Sequence, residues 1–188
     1  MSASIHSIAR SSAPDVRNPL LKLPSAAAFE HLAEEDRRQL RAALDAIRRR
    51  SKQVADELWE RRRVRKAAYW RACSVYAGHA ARLAHTRSSA PTPSVAPAPV
   101  PRGINPVAVL AVPELARLSD ASLSAVVDLL LDLRADAKGV TVKSWRTAKS
   151  PMAAYWNDVK TVAGHCARRI DRLRPRAAGS HQPVQLAA

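Results

Sequence analysis

Two histidines sit in matched settings, Gly78-His79 and Gly164-His165, 86 residues apart. An imidazole in such a place could carry a proton or bind a metal. Either task needs partners, and no carboxylate, Ser or Cys is matched beside both histidines. Asp158 precedes His165 by two helical turns, but its counterpart 86 residues earlier is Ala72. Neither a catalytic triad nor a zinc site can be drawn from this pattern. Cys73 and Cys166 form no CxxC pair and no dense disulfide framework. The expectation is two structural histidines, each hydrogen-bonded at a helix crossing that its glycine lets come close. No catalytic residue, enzyme activity, cofactor or metal is expected.

The cations carry more. Lys and Arg number 31 against 16 Asp and Glu, a net charge of +15, with a pI near 11.1. Much of the excess is local. Arg48, Arg49, Arg50 and Lys52 form one cluster, and Arg61, Arg62, Arg63, Arg65 and Lys66 form a denser one. Arg168, Arg169, Arg172, Arg174 and Arg176 form a third toward the C-terminus. Such a run can be an ordinary solvated helix face. Phosphate is the intracellular polyanion that dense arginine fits best, because neutralising several phosphates releases condensed counterions. The three clusters are therefore read as nucleic-acid-binding, with DNA the expected partner. Backbone contacts alone do not separate DNA from RNA. The competing reading is a helical adaptor or inhibitor whose partner is an acidic protein surface or a second copy of the chain.

An internal duplication organises the elements that must position these groups. A shift of 86 residues lays Ala67-Ala68-Tyr69-Trp70 on Ala153-Ala154-Tyr155-Trp156, and Ala77-Gly78-His79 on Ala163-Gly164-His165. Nine of the 17 positions from Lys66 to Arg82 are identical under that shift, and Trp59 falls on Trp145. The expected architecture is all-α: two tandem copies of a small module of about three helices each. The boundaries are a flexible tail at 1–17, a basic copy 1 at 18–85, a Pro/Ala/Ser linker at 86–104, copy 2 at 105–171 and a basic tail at 172–188. Alternating prolines make the linker polyproline-like and unable to form a core. Copy 1 holds 15 basic and 8 acidic residues; copy 2 holds 9 and 7. The charge is thus the main difference between two otherwise similar scaffolds.

Helix signals are strong in both copies. Ser119 is a good N-cap before Leu123, Val126, Val127, Leu130 and Leu133, and Gly139 is expected to end that helix. Ser150 is expected to cap the next, with Pro151 in its first turn and a stripe of Tyr155, Val159, Val162, Cys166 and Ile170. Copy 1 repeats the stripe as Tyr69, Cys73, Tyr76, Ala80 and Leu83, after a helix bearing Leu40, Leu44, Ile47, Val54 and Leu58 with Ser51 as a polar exception. No Gly or Pro occurs from Ser25 to Ala77, which predicts longer helices in copy 1 than in copy 2. The shared aromatics Trp59, Tyr69, Trp70, Trp145, Tyr155 and Trp156 are read as core, supplying area that abundant alanine lacks. The rival is a platform on which bases stack beside cations.

One segment raises a sharper reading. From Ala135 to Thr147 an alanine, Gly139, Val140 and Trp145 follow the turn spacing of a helix-turn-helix. Against it, Lys138 takes a normally apolar place and copy 1 has Gln53 where Gly139 stands. The alternative is a plain C-cap and a short connecting helix. The longest apolar runs, such as Val107 to Val112, are far shorter than a membrane span, and Met1 to Asn18 lacks a signal-peptide core. A cytoplasmic binding protein is the expectation.

Overall fold

The structure, a computed structural model, describes residues 18–85 and 113–174. The tail at 1–17, the Pro-rich linker at 86–104 and Arg176 lie outside the described residues. Within them the chain is all-helical, with four long helices: α1 (Glu34–Glu60), α2 (Val64–Leu83), α3 (Asp120–Arg146) and α4 (Ser150–Asp171). Short 3-10 turns at Pro19–Lys22, Pro24–Phe29 and Pro113–Arg117 precede the two helix pairs. Among the described residues each half contributes two long helices.

The helices begin where the local chemistry allows. Ser119 caps α3, its hydroxyl accepting from the Ser122 amide at 3.2 Å, and Asp120 adds negative charge to the first turn. The cap assigned to Ser150 moves by one position: Lys149 is the N-cap, without a side-chain bond, and Ser150 is the first helical residue ahead of Pro151. Copy 1 does not have the longer first helix. Both α1 and α3 run for 27 residues.

The reason is a turn that owes nothing to Gly or Pro. After α1, the Arg62 amide bonds the Trp59 carbonyl at 2.9 Å and the Arg63 amide bonds the Leu58 carbonyl at 2.8 Å. After α3, the Ala148 amide bonds Trp145 at 3.1 Å and the Lys149 amide bonds Ser144 at 2.9 Å. Both are Schellman motifs, and their left-handed residues are Arg62 (φ 55°) and Ala148 (φ 53°). Each turns the chain back so that α2 packs along α1 and α4 along α3.

Gly139 does not end α3, and no helix-turn-helix forms at residues 135–147. The helix runs unbroken through Gly139 to Arg146. Gly139 is exposed, and an added Cβ there would touch nothing within 4 Å. Ala137, Thr141 and Ser144, on the opposite side of the same helix, are buried, and the Thr141 hydroxyl donates to the Ala137 carbonyl at 2.7 Å. A single helical glycine costs about 1 kcal/mol relative to alanine, too little to break a helix held by a packed face.

The two hairpins share one core. Phe29, Leu40, Leu44 and Tyr76 from the first half join Leu115, Leu129, Leu133 and Ile170 from the second in one buried cluster. The packing is reciprocal: the 3-10 turn at Pro24–Phe29 lies on α3, and the one at Pro113–Arg117 lies on α1. Polar contacts tie down the first of these and the turn before it. The Ser25 amide donates to Asp132 at 3.0 Å, and Lys22 pairs with Asp136 at 3.0 Å. Buried Asn18 caps its turn through the Leu20 amide and donates to the His79 carbonyl at 3.1 Å. A smaller cluster of Val54, Leu58, Ala67, Trp70, Cys73 and Val162 extends the core toward the α1–α2 turn.

Candidate nucleic-acid interface

The densest basic cluster occupies the α1–α2 turn. Arg61, Arg62, Arg63, Arg65 and Lys66 are all exposed, and among the described residues none of them makes an ion pair. Val64 stands exposed within the run and Trp59 just before it, Trp59 by 62%. Helix α2 begins here with no side-chain cap and no acidic residue in its first turn. Its first amides therefore add positive potential to that of the side chains. Glu60, exposed at the start of the turn, makes no ion pair among the described residues.

The cluster from Arg48 to Lys52 is different in kind. Arg48 pairs with Asp45 at 3.3 Å, and Lys52 and Arg71 both meet Asp56. Arg49 and Arg50 are half-buried on the α1 surface. The aliphatic stem of Arg48 lies over Gly78, where an added Cβ would come within 2.9 Å of its Cδ. Arg134 lies over Gly164 in the same way, at 3.2 Å. The glycines thus admit an arginine stem rather than a close helix backbone, and the charged head remains at the surface.

The C-terminal arginines divide as well. Arg168 and Arg172 are exposed and Arg169 is half-buried. All three line one cavity with Tyr69 and Trp70, which lie on α2 about one turn beyond Arg65 and Lys66. Arg174 is engaged within the chain. It bridges Asp120 at 3.0 Å and Asp171 at 3.5 Å, joining the start of α3 to the end of α4, and the Asp120 carboxylate holds its pKa above the ordinary value.

Three of the six aromatics assigned to the core are not in it. Trp59, Trp145 and Tyr155 are exposed, while Trp70 is buried and Tyr69 and Trp156 are partly so. The buried stripe of α1 runs through Ser51, Val54, Ala55 and Leu58, and that of α3 through Ala137, Thr141 and Ser144. Trp59 and Trp145 each follow the last stripe residue by one position, about 100° around the helix. That offset was visible in the spacing. Tyr69 and Trp70 stack edge to face at 5.1 Å, and Tyr155 and Trp156 do so at 5.4 Å.

The matched histidines part company. His79 is half-buried, its ring 5.9 Å from that of Tyr76, and Arg82 bonds its Nδ1. Burial, and then the Arg82 charge, hold its pKa below the ordinary value. His165 is exposed, so the expected bonded site at a crossing does not apply to it. Burial pushes the Cys73 thiol well up and that of Cys166 up to about 12, which keeps both protonated at neutral pH. Among the described residues no group of three or more His, Cys, Asp or Glu could hold a metal, and no helix is long and apolar enough to cross a membrane. No protein-family model, curated protein or solved structure matches the chain.

Proposed function

We propose that this is a non-enzymatic, cytoplasmic DNA-binding protein that grips the phosphate backbone through its α1–α2 turn. Its duties would be regulatory, packaging, or accessory to replication or transfer. The observation that carries the reading is the group of five exposed cations, Arg61, Arg62, Arg63, Arg65 and Lys66, unpaired among the described residues and close in the chain to exposed Trp59. Cations with an exposed aromatic suit a strand whose bases can stack while its phosphates are neutralised. Arg168 and Arg172 supply further exposed positive charge, and a basic tail at 172–188 would extend it.

The scaffold is read as two tandem copies of one helical hairpin joined by the linker at 86–104. Support comes from the bounds of α1 and α3, which differ by 86 residues at both ends, and from the repeated Schellman turn and arginine-over-glycine contact. In the second copy the turn carries Trp145 but only Arg146 and Lys149 as cations, with Thr147, Ala148, Pro151 and Met152 in place of the others. On this reading the first copy binds and the second completes its core.

Fluorescence anisotropy with labelled duplex DNA, single-stranded DNA and RNA across a salt series tests the proposal. Micromolar binding should weaken steeply with salt. Replacing the five cations by Ala should reduce the log–log slope by about 4. Trp59→Ala should weaken single-strand binding by about 1–3 kcal/mol and duplex binding less. No binding at low salt sinks the reading. Exposed Trp59 and Val64 also favour the rival, a helical adaptor docking on an acidic protein. A partner that survives nuclease treatment in a pull-down, with no nucleic-acid binding, would establish that instead.

A further inference from the structure

A cavity of about 270 Å³ lies between the two hairpins, and all four helices wall it with apolar side chains, among them Leu44, Ala77, Leu133 and Val159. Its polar rim is of one sign. Arg168, Arg169 and Arg172 line it together with His165, and no acidic side chain does so among the described residues. Arg168, Arg172 and His165 are exposed, so the cavity reaches solvent beneath this arginine rim. None of the three arginines makes an ion pair among the described residues. The Arg169 Nε is buried and has no protein hydrogen-bond partner, which leaves a charged donor without an acceptor at the edge of an apolar space. Fully buried Ser51 also lines the wall, and its hydroxyl likewise has no protein partner.

We propose that this cavity binds a medium-chain carboxylate, with the acyl chain among the buried side chains and the carboxylate accepting from Arg169 at the rim. The size follows from the volume. An apolar protein cavity of roughly 150 Å³ holds benzene, so this one takes about 10–12 non-hydrogen atoms, the size of decanoate. The charge follows from the rim, where a carboxylate meets three arginines that make no ion pair among the described residues and faces no acidic neighbour. Because the cavity is built from both hairpins, a ligand within it holds them together. The site does not depend on nucleic-acid binding.

Calorimetric titration of the full chain with sodium decanoate and with decan-1-ol, both below their aggregation concentrations, tests this. Saturable binding of one decanoate per chain is expected, tighter than decan-1-ol by at least about 10-fold, since an ionised partner typically adds 10-fold or more to a buried hydrogen bond. Saturating decanoate should raise the melting temperature by about 5 °C. Arg169→Gln should cut decanoate affinity by about 10-fold and leave decan-1-ol unchanged, while Ala77→Leu, which fills the cavity, should block both. Non-saturating uptake, or a wild-type preference for decanoate of less than about 10-fold, overturns the proposal without recourse to any variant.

Discussion

Trp59 and Trp70 are the same residue type with opposite fates, and the difference sets what each can do. Trp70 packs with Val54, Leu58, Ala67 and Cys73, whereas Trp59 projects into solvent beside the arginines. Trp70→Ala should cost about 3–5 kcal/mol in urea denaturation. Trp59→Ala should cost less than about 0.5 kcal/mol there and act on binding instead. His79 carries a pH dependence of definite sign. Arg82 donates to its Nδ1, so that nitrogen is the acceptor of a neutral ring, and protonation loses the bond. With the folded pKa lowered by burial and by Arg82, the unfolded chain takes up the proton first as pH falls. Stability is therefore retained at neutral pH and lost as pH falls through the ordinary imidazole value, about 6.5, toward the lowered folded one. His79→Gln should flatten that part of the stability profile, measured as the denaturation midpoint against pH.

At the scale of elements, left-handed turns at Arg62 and Ala148 end α1 and α3 without glycine or proline. Ala148 is exposed and holds a left-handed conformation that costs a residue with a Cβ about 1–2 kcal/mol. Ala148→Gly should therefore stabilise the chain by about 0.5–1 kcal/mol, after the added entropy of a glycine in the unfolded state. Gly139 is the reverse case, a solvent-facing glycine inside a helix with open space where a Cβ would go. Gly139→Ala should stabilise by about 0.5–1 kcal/mol. Denaturant titration of the two single variants and the double variant checks both. The sites are independent if the double variant gives the sum. Were Gly139 the pivot of a helix-turn-helix, alanine there would instead destabilise.

At the scale of the whole molecule, the reciprocal packing of the 3-10 turns makes the hairpins one unit. Phe29 is fully buried in the common cluster although it lies in the first half; its turn is held on α3 by Asp132, and the preceding turn by Asp136. Phe29→Ala should cost about 3–5 kcal/mol and loosen the second hairpin as much as the first. Hydrogen exchange should register it as lost protection in α3, and helix loss and tryptophan fluorescence should still coincide in one unfolding transition. Two transitions in the wild type would show hairpins that fold separately. The same union creates the cavity, because its walls come from both halves.

Residue identity under one shift marked the 86-residue correspondence, and periodicity determined the helical class and the apolar stripes, because side chains three and four apart must share a helix face. It also marked Trp59 and Trp145 as lying off those stripes, a signal that their size and hydrophobicity masked. Composition placed the charge in the first half. Sequence could not disclose that Arg62 and Ala148 would turn the chain, since a left-handed cap at a residue other than glycine leaves no local signature. Nor could it separate the paired arginines from the unpaired. Arg48 and Arg174 find carboxylates through the geometry of a helix face and a hairpin end, while the cations of the α1–α2 turn make no ion pair among the described residues. The tertiary structure decided which charges are neutralised inside the molecule and which face outward, because that depends on distances between elements that no local pattern encodes.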